Sequence, residues 1–276
     1  MDRIRLITSD MDATLLDEQS QLPADFEETI HTLAELGIRF APASGRPLYT
    51  LEAMFPTLQD ELVFIGDNGG AIRWKGQNLF TSEMSPEGWR ALNRLTREQG
   101  DIAVLCGLES AYVERPFTVH DAVLRHFYTK IEYVDRLEDV TAPADKFTIY
   151  LPQHNAQQAY DTVYASQRSI YSVAVAGECW VDIMNPGVHK GAALQTLGQL
   201  WGLPSESMMA FGDTYNDAEM LRTAKYGFLM ENGSVPLRRN VPFLAPSNRE
   251  AGVMQVLHRV LAQNGCVCPE DFVPAH

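Results

Sequence analysis

Two aspartates stand two residues apart in the stretch LITSDMDATLLD, Asp10 and Asp12, directly behind an apolar run. Burying one unpaired carboxylate is costly, and burying two like charges together is worse. Something in the chain has to offset that cost. On a strand, residues i and i+2 point the same way, so this spacing predicts that Asp10 and Asp12 share one site while Met11 turns to the core. Three further stretches carry groups able to act on an anion: PASGRP (42–47) with Ser44, HKGAAL (189–194) with Lys190, and GDTYND (212–217) with Asp213, Asn216 and Asp217. A Ser hydroxyl with neighbouring backbone N–H groups can hold a phosphate, and Lys190 supplies a compact positive charge.

The elements around these stretches have to place them. Ile4 to Ser9 reads as a buried strand, Asp25 to Leu36 as an amphipathic helix stopped by Gly37, Ile38 to Pro42 as a second strand, and Pro47 to Met54 as a helix. ELVFIGDNGG supplies a third strand with a Gly-rich turn, and AIRWKGQNLF a hairpin turning at Lys75-Gly76. This alternation implies parallel strands with right-handed crossovers, whose carboxyl ends collect reactive groups. Asp10, Ser44 and Asn68 each follow such a strand and are expected on one edge.

The middle of the chain changes character. Ser85 to Gln99 and Asn155 to Gln167 read as helices. DIAVLCG, SAYVER, KFTIYLP, SIYSVAVAG and CWVDIMN read as strands with short connections, which predicts an antiparallel α+β module. From Val188 the βα alternation resumes through HKGAALQTLGQLWG, SMMAFGD, NDAEMLRTA, YGFLM and EAGVMQVLHRVLAQ. The expected fold is α/β: a Rossmann-like parallel-sheet core, residues 1–82 and 185–276, interrupted by an inserted α+β domain at 83–184.

With DMDATLL, PASGRP, HKGAAL and GDTYND in this order after these strands, the chain resembles the haloacid dehalogenase superfamily of phosphohydrolases. Within it, the chain resembles the Cof-like branch, whose large cap is inserted between the second and third motifs. The resemblance covers essentially the whole sequence. It implies a phosphatase acting on a small phosphorylated metabolite through an aspartyl-phosphate: Asp10 as nucleophile, Asp12 as acid and then base, and Lys190 beside both Asp10 and the phosphate. It also implies phosphate or substrate contacts from Ser44, Gly45, Arg46, Asn68 and Asn216. The metal site falls to the Asp10 side chain, the Asp12 carbonyl and Asp213, with Asp217 acting through water or steadying Lys190. Four aspartates and a phosphate dianion are too negative to coexist, because unit charges 4 Å apart repel by about 4 kcal/mol at an effective dielectric of 20. A divalent cation is therefore required, and an all-oxygen site selects Mg²⁺. For GDTYND the plain structural alternative is a helix cap, from Asn216 or Asp213. The family has Gly where this chain has Ala13, and Gly permits backbone angles that alanine resists.

Composition bounds the alternatives. A net charge of −14 over 276 residues argues against nucleic-acid and anionic-membrane partners. No run reaches the length of a membrane span, and none near Met1 has the pattern of a signal peptide. The four cysteines lack framework or zinc-ribbon spacing, which fits reduced thiols in a cytoplasm. Asn232-Gly233-Ser234, formally a sequon, reads as a turn. A response-regulator receiver shares an acidic cluster, a hydroxyl, a Lys and Mg²⁺, but it is a single small domain with adjacent acids. A phosphosugar mutase of the same superfamily, or a binding protein without turnover, would share most of the motifs.

Overall fold

The structure is a computed structural model that describes residues 1–276. Its contacts divide the chain into two compact units: Met1–Gly45, Phe55–Leu79 and His189–His276 form one, and Arg46–Met54 with Phe80–Val188 form the other.

The first unit is built on a nine-stranded sheet. From one edge its strands are Val273–Pro274, Phe243–Ala245, Tyr226–Met230, Met208–Gly212, Leu6–Asp10, Arg39–Ala43, Val63–Gly66, Ala71–Trp74 and Gln77–Thr81. The pairs from Phe243–Ala245 across to Val63–Gly66 are parallel, while those at Val273–Pro274 and at Ala71–Trp74 are antiparallel. Every residue of Leu6–Asp10 and Met208–Gly212 is buried. That is the mark of central strands covered on both faces, and it explains their continuous apolar runs. Register sets Ser9 opposite Phe211 and Asp10 opposite Ala43, so Asp10, Ser44 and Asp213 leave the sheet at one carboxyl edge. The hairpin turns at Lys75-Gly76, whose φ values of 50° and 70° suit a two-residue primed turn.

The second unit contains a six-stranded sheet in the order Ser172–Val175, Trp180–Met184, Ala144–Tyr150, Ile102–Gly107, Ala111–Glu114, Ile131–Val134. One face carries Leu105, Phe147, Ile149, Val181 and Ile183 under the helices Pro86–Gln99 and Ala156–Thr162. The other buries Val104, Val113, Leu124 and Tyr128. Ser85 caps its helix by accepting from the Gly88 N–H, Pro86 sits at the first turn, and Gly100 closes it at φ 74°.

Four expectations need correction. The inserted sheet is mixed rather than antiparallel, because Ala111–Glu114 and Ile131–Val134 pair in parallel. The crossover between them contains the helix Asp121–Phe127, which the strand-rich reading passed over. The helix expected over Asn155 to Gln167 stops at Thr162, where Val163 leaves the helical region and a tighter 3₁₀ segment, Tyr164–Ser169, follows. The first strand begins at Leu6 rather than Ile4.

Candidate active site

Asp10 ends its strand and is 8% exposed. The chain then coils at once through Met11–Leu15, closed by the Leu16 N–H donating to the Met11 carbonyl at 2.9 Å. Strand alternation therefore does not carry on to Asp12, and the i, i+2 argument fails for a local reason. Met11, Thr14 and Leu15 turn inward, whereas Asp12 and Ala13 are exposed. Ala13 sits at φ 59°, ψ 9°, the left-handed region that costs a non-glycine residue about 1 kcal/mol. This is where the family's glycine would rest without that cost.

Lys190 opens the helix Lys190–Trp201, capped by the His189 imidazole accepting from the Ala192 N–H. At 1% exposure, its ammonium donates to Asp10 Oδ1 and to Asp217 Oδ1, the latter at 2.7 Å. Asp217 Oδ2 accepts from the backbone N–H groups of Asp213 (3.0 Å) and Thr214 (3.2 Å). The cap of this turn is thus Thr214 paired with Asp217, not Asn216 or Asp213. Gly212 is obligatory here, since a Cβ on it would lie 2.4 Å from that of Asp217. Thr14 Oγ1 donates to Asp213 Oδ1 at 3.4 Å. Carboxylate oxygens of Asp10, Asp213 and Asp217 lie within 4.8 Å of one another.

Crowding shows in the acidities. Burial pushes the Asp10 carboxyl up to about 8, with Lys190 opposing and Asp217 and Asp213 adding to the rise. Burial and then Asp217 push Asp213 up to about 6. Burial alone would lower Lys190, but Asp10 and Asp217 more than offset it and hold the ammonium above its ordinary value. One lysine among three carboxylates leaves the cluster short of positive charge.

A second wall comes from the next two strand ends. Ser44, 2% exposed, donates its N–H to the Ile65 carbonyl, and the Asn68 N–H donates to the Ser44 carbonyl, both at 2.9 Å. Asp67 and Asn68 hold φ values of 50° and 54°, which Asp and Asn tolerate better than other residues. A Cβ on Gly45 would come within 3.2 Å of the Asn68 amide, and one on Gly69 within 2.6 Å of the His189 carbonyl. The turn is therefore wedged against the start of the Lys190 helix. Two further expected residues have these partners. Arg46 belongs to the second unit, where its Nη1 lies 3.3 Å from Met54 Sδ. Asn216 is exposed and accepts from the Thr214 hydroxyl. Sequence reasoning missed Thr14, Asn232 and Asn248. Asn232 Nδ2 donates to the Ala13 carbonyl at 2.8 Å, and Asn248 Nδ2 to the Leu16 carbonyl at 2.9 Å. Thr14 carried only its polarity before two leucines, while Asn232 and Asn248 lie in the polar stretches ENGS and SNRE, which look like any other turn.

A parallel sheet with acids, a buried lysine and a hydroxyl gathered at its carboxyl edge places the protein in the doubly wound α/β class. Residues 7–257 match the haloacid dehalogenase-like hydrolases, and the chain belongs to that family. It is 32% identical over 262 residues to the 5-amino-6-(5-phospho-D-ribitylamino)uracil phosphatase YbjI of Escherichia coli, covering 94% of this chain and 96% of the relative. It is 30% identical over 251 residues to the HMP-PP phosphatase of Cronobacter sakazakii, covering 87% and 89%. A HAD/COF-like hydrolase from Plasmodium vivax superposes with a TM-score of 0.84 at 18% identity, over 95% of this chain and 97% of that one, which speaks for the fold. The protein is thus an enzyme, a phosphoric monoester hydrolase of the haloacid dehalogenase-like family. No helix is long and apolar enough to cross a membrane.

Proposed function

We propose that the protein is a Mg²⁺-dependent phosphatase of a small phosphorylated metabolite, working through an aspartyl-phosphate on Asp10. The observation that carries this reading is the Lys190 ammonium bridging Asp10 and Asp217, with Asp213 alongside, at the carboxyl ends of two adjacent parallel strands.

An Asp10 oxygen attacks phosphorus, the bond to the ester oxygen breaks, and Asp12 gives that oxygen its proton. Asp12 then takes a proton from water, whose oxygen attacks the phosphoryl group. Inorganic phosphate leaves and the Asp10 carboxylate is restored. Lys190 aims Asp10 and opposes the rise in its pKa, Asp217 holds Lys190, and Ser44 with Gly45 and Asn68 receives the phosphoryl oxygens. The donor set fits a hard divalent cation: it is all oxygen, and the described hydrogen bonds use Oδ1 of Asp10 and of Asp213 and leave Oδ2 of each. Asp10, Asp213 and the Asp12 carbonyl would hold Mg²⁺. Both Asp217 oxygens take N–H donors, so its part is to orient Lys190. The bound ion supplies the charge that offsets the phosphoryl dianion.

The second unit, Arg46–Met54 with Phe80–Val188, serves as the cap that recognises the leaving group, and the setting is the cytoplasm, where four cysteines without framework spacing would stay reduced. Because the relative matched over 94% of the chain carries that name, 5-amino-6-(5-phospho-D-ribitylamino)uracil heads the substrates to test. The experiment is phosphate release from a panel of monoesters, that compound and HMP-PP included, with Mg²⁺ and with EDTA. A mutase would convert a sugar phosphate to its isomer without releasing phosphate, and a binding protein would release none.

A further inference from the structure

The turn Met230–Ser234 touches both sides of the acid cluster through atoms the reaction does not use. Asn232 Nδ2 donates to the Ala13 carbonyl at 2.8 Å, while its Oδ1 accepts from the Asn248 N–H at 3.0 Å. A carbonyl on one side and an N–H on the other allow one orientation of this amide only. Two residues further on, the Ser234 N–H donates to the Asp213 carbonyl at 2.8 Å. Gly233 is pressed so closely to that strand end that a Cβ on it would lie 2.7 Å from the Asp213 carbonyl oxygen. Asn248 completes the bracket: it is 7% exposed, and its side chain donates to the Leu16 carbonyl at 2.9 Å. The loop that follows Asp10 is therefore held at Ala13 and at Leu16 by two asparagines joined to each other.

The place of the first grip matters. Ala13 is the residue held in the left-handed region, and no Cβ-free residue stands there to make that conformation easy. Left alone, Ala13 would relax towards ordinary angles and swing the Asp12–Ala13 peptide against the Ala13–Thr14 peptide, and both the carboxyl and the carbonyl of Asp12 would turn with it. The Asn232 amide opposes that turn, and its own backbone is anchored to Asp213.

We infer that Asn232, backed by Asn248, is a positioning residue: it fixes the Ala13–Thr14 peptide, and through the left-handed Ala13 the Asp12 before it, relative to Asp213, so that the proton-transfer carboxyl and the cation ligands keep one geometry. This rests on the roles proposed above for Asp12 and Asp213. Asn232 itself touches neither substrate nor ion. Its side chain is exposed, so replacing it leaves the core packing intact.

Three variants and three readouts test it. The variants are Asn232→Ala, Asn232→Asp, which keeps the size and the Asn248 contact but turns an acceptor on the Ala13 carbonyl, and the double change Asn232→Ala with Ala13→Gly. The readouts are phosphatase kinetics, Mg²⁺ affinity by calorimetry without substrate, and amide hydrogen exchange over residues 11–16. The expected result is faster exchange confined to that loop, kcat lowered and Mg²⁺ affinity weakened by roughly tenfold or more, and substrate KM little changed. Asn232→Asp should match Asn232→Ala. The added Ala13→Gly should restore melting temperature without restoring kcat, because glycine eases the strain and loosens the aim. Wild-type kcat and Mg²⁺ affinity in Asn232→Ala would overturn the inference, as would full rescue of kcat by Ala13→Gly, which would reduce Asn232 to a stability device. Full activity of Asp12→Asn would instead sink the roles on which it rests, while the exchange data would still report whether the bracket holds the loop.

Discussion

Each unit buries a lysine against carboxylates, and they do so in opposite ways. In the second unit Lys146, 2% exposed, lies 3.7 Å from Asp182, whose other oxygen accepts the Thr148 hydroxyl at 2.8 Å. Thr148 and Asp182 face each other across neighbouring antiparallel strands, so regular pairing sets the geometry. In the first unit Lys190 is outnumbered: Asp10 and Asp217 both accept hydrogen bonds from its ammonium, and Asp213 crowds them. These three groups come from separate strand ends and loops. A buried ion pair whose geometry is set by regular strand pairing fixes a conformation. An unmatched cluster at strand ends stores a demand for positive charge, and that demand is what a cation and a phosphoryl transfer can use.

The largest effect tests the first half of the contrast. Asp10→Asn keeps the shape but removes the nucleophile, so phosphate release should fall by about 10³-fold or more, while the fold persists by circular dichroism. Wild-type turnover would remove Asp10 from the chemistry. Next comes the second half. Lys146→Met strips a buried carboxylate of its cation and should cost about 3 kcal/mol in denaturant unfolding. A neutral result would mean that the pair fixes nothing.

Asp213→Asn should do the reverse in EDTA, raising the melting temperature by an amount on the order of 1 kcal/mol in stability, because it relieves like-charge crowding. With Mg²⁺ the same change should raise the half-saturating concentration, and an unchanged value would exclude Asp213 as a ligand. The pH dependence has the same origin. Asp10 is raised to about 8 and Asp213 to about 6, so between about pH 4 and those values the folded protein keeps protons that the unfolded chain gives up. In EDTA these groups should therefore lower stability as pH rises from 5 to 8, and Asp10→Asn should flatten the slope. The smallest effect belongs to Ala13→Gly. Relief of the left-handed alanine and the greater freedom of an unfolded glycine nearly cancel, leaving a gain below about 1 kcal/mol. A loss of stability would show that the loop is unstrained.

Much of this was legible because apolar runs end where the sheet ends. LITSD, FAPA and MMAFG are central strands, and the residues just past them had to emerge at one edge. What failed depended on angles that residue type does not fix. Asp12 read as a strand neighbour of Asp10 because period two was extended one turn too far, into a loop closed by a Leu16–Met11 hydrogen bond. The cap of GDTYND went to Thr214 because Asp217 could reach back to its N–H, which four polar residues in six cannot announce. The helix Asp121–Phe127 was overlooked because one side chain, Leu124, is its only buried one, too little to make a period. Asn232 looked like a turn residue, and it is one. Its second duty appears only when the chain folds back 219 residues in sequence to Ala13.

The short helix Leu48–Ala53 belongs by its contacts to the second unit, although the chain enters it from Gly45 and leaves it towards Phe55 of the first. Its Thr50 hydroxyl accepts the Thr129 N–H at 3.0 Å, and the Lys130 ammonium lies 5.8 Å from the centre of the Tyr49 ring. The second unit is therefore discontinuous in sequence. Anyone exchanging caps between relatives at the single insertion point 83–184 would leave this helix behind with its partners gone. A chimaera that is to fold has to move two pieces together, 46–54 and 80–188, and substrate preference would then be inherited as a two-part cassette.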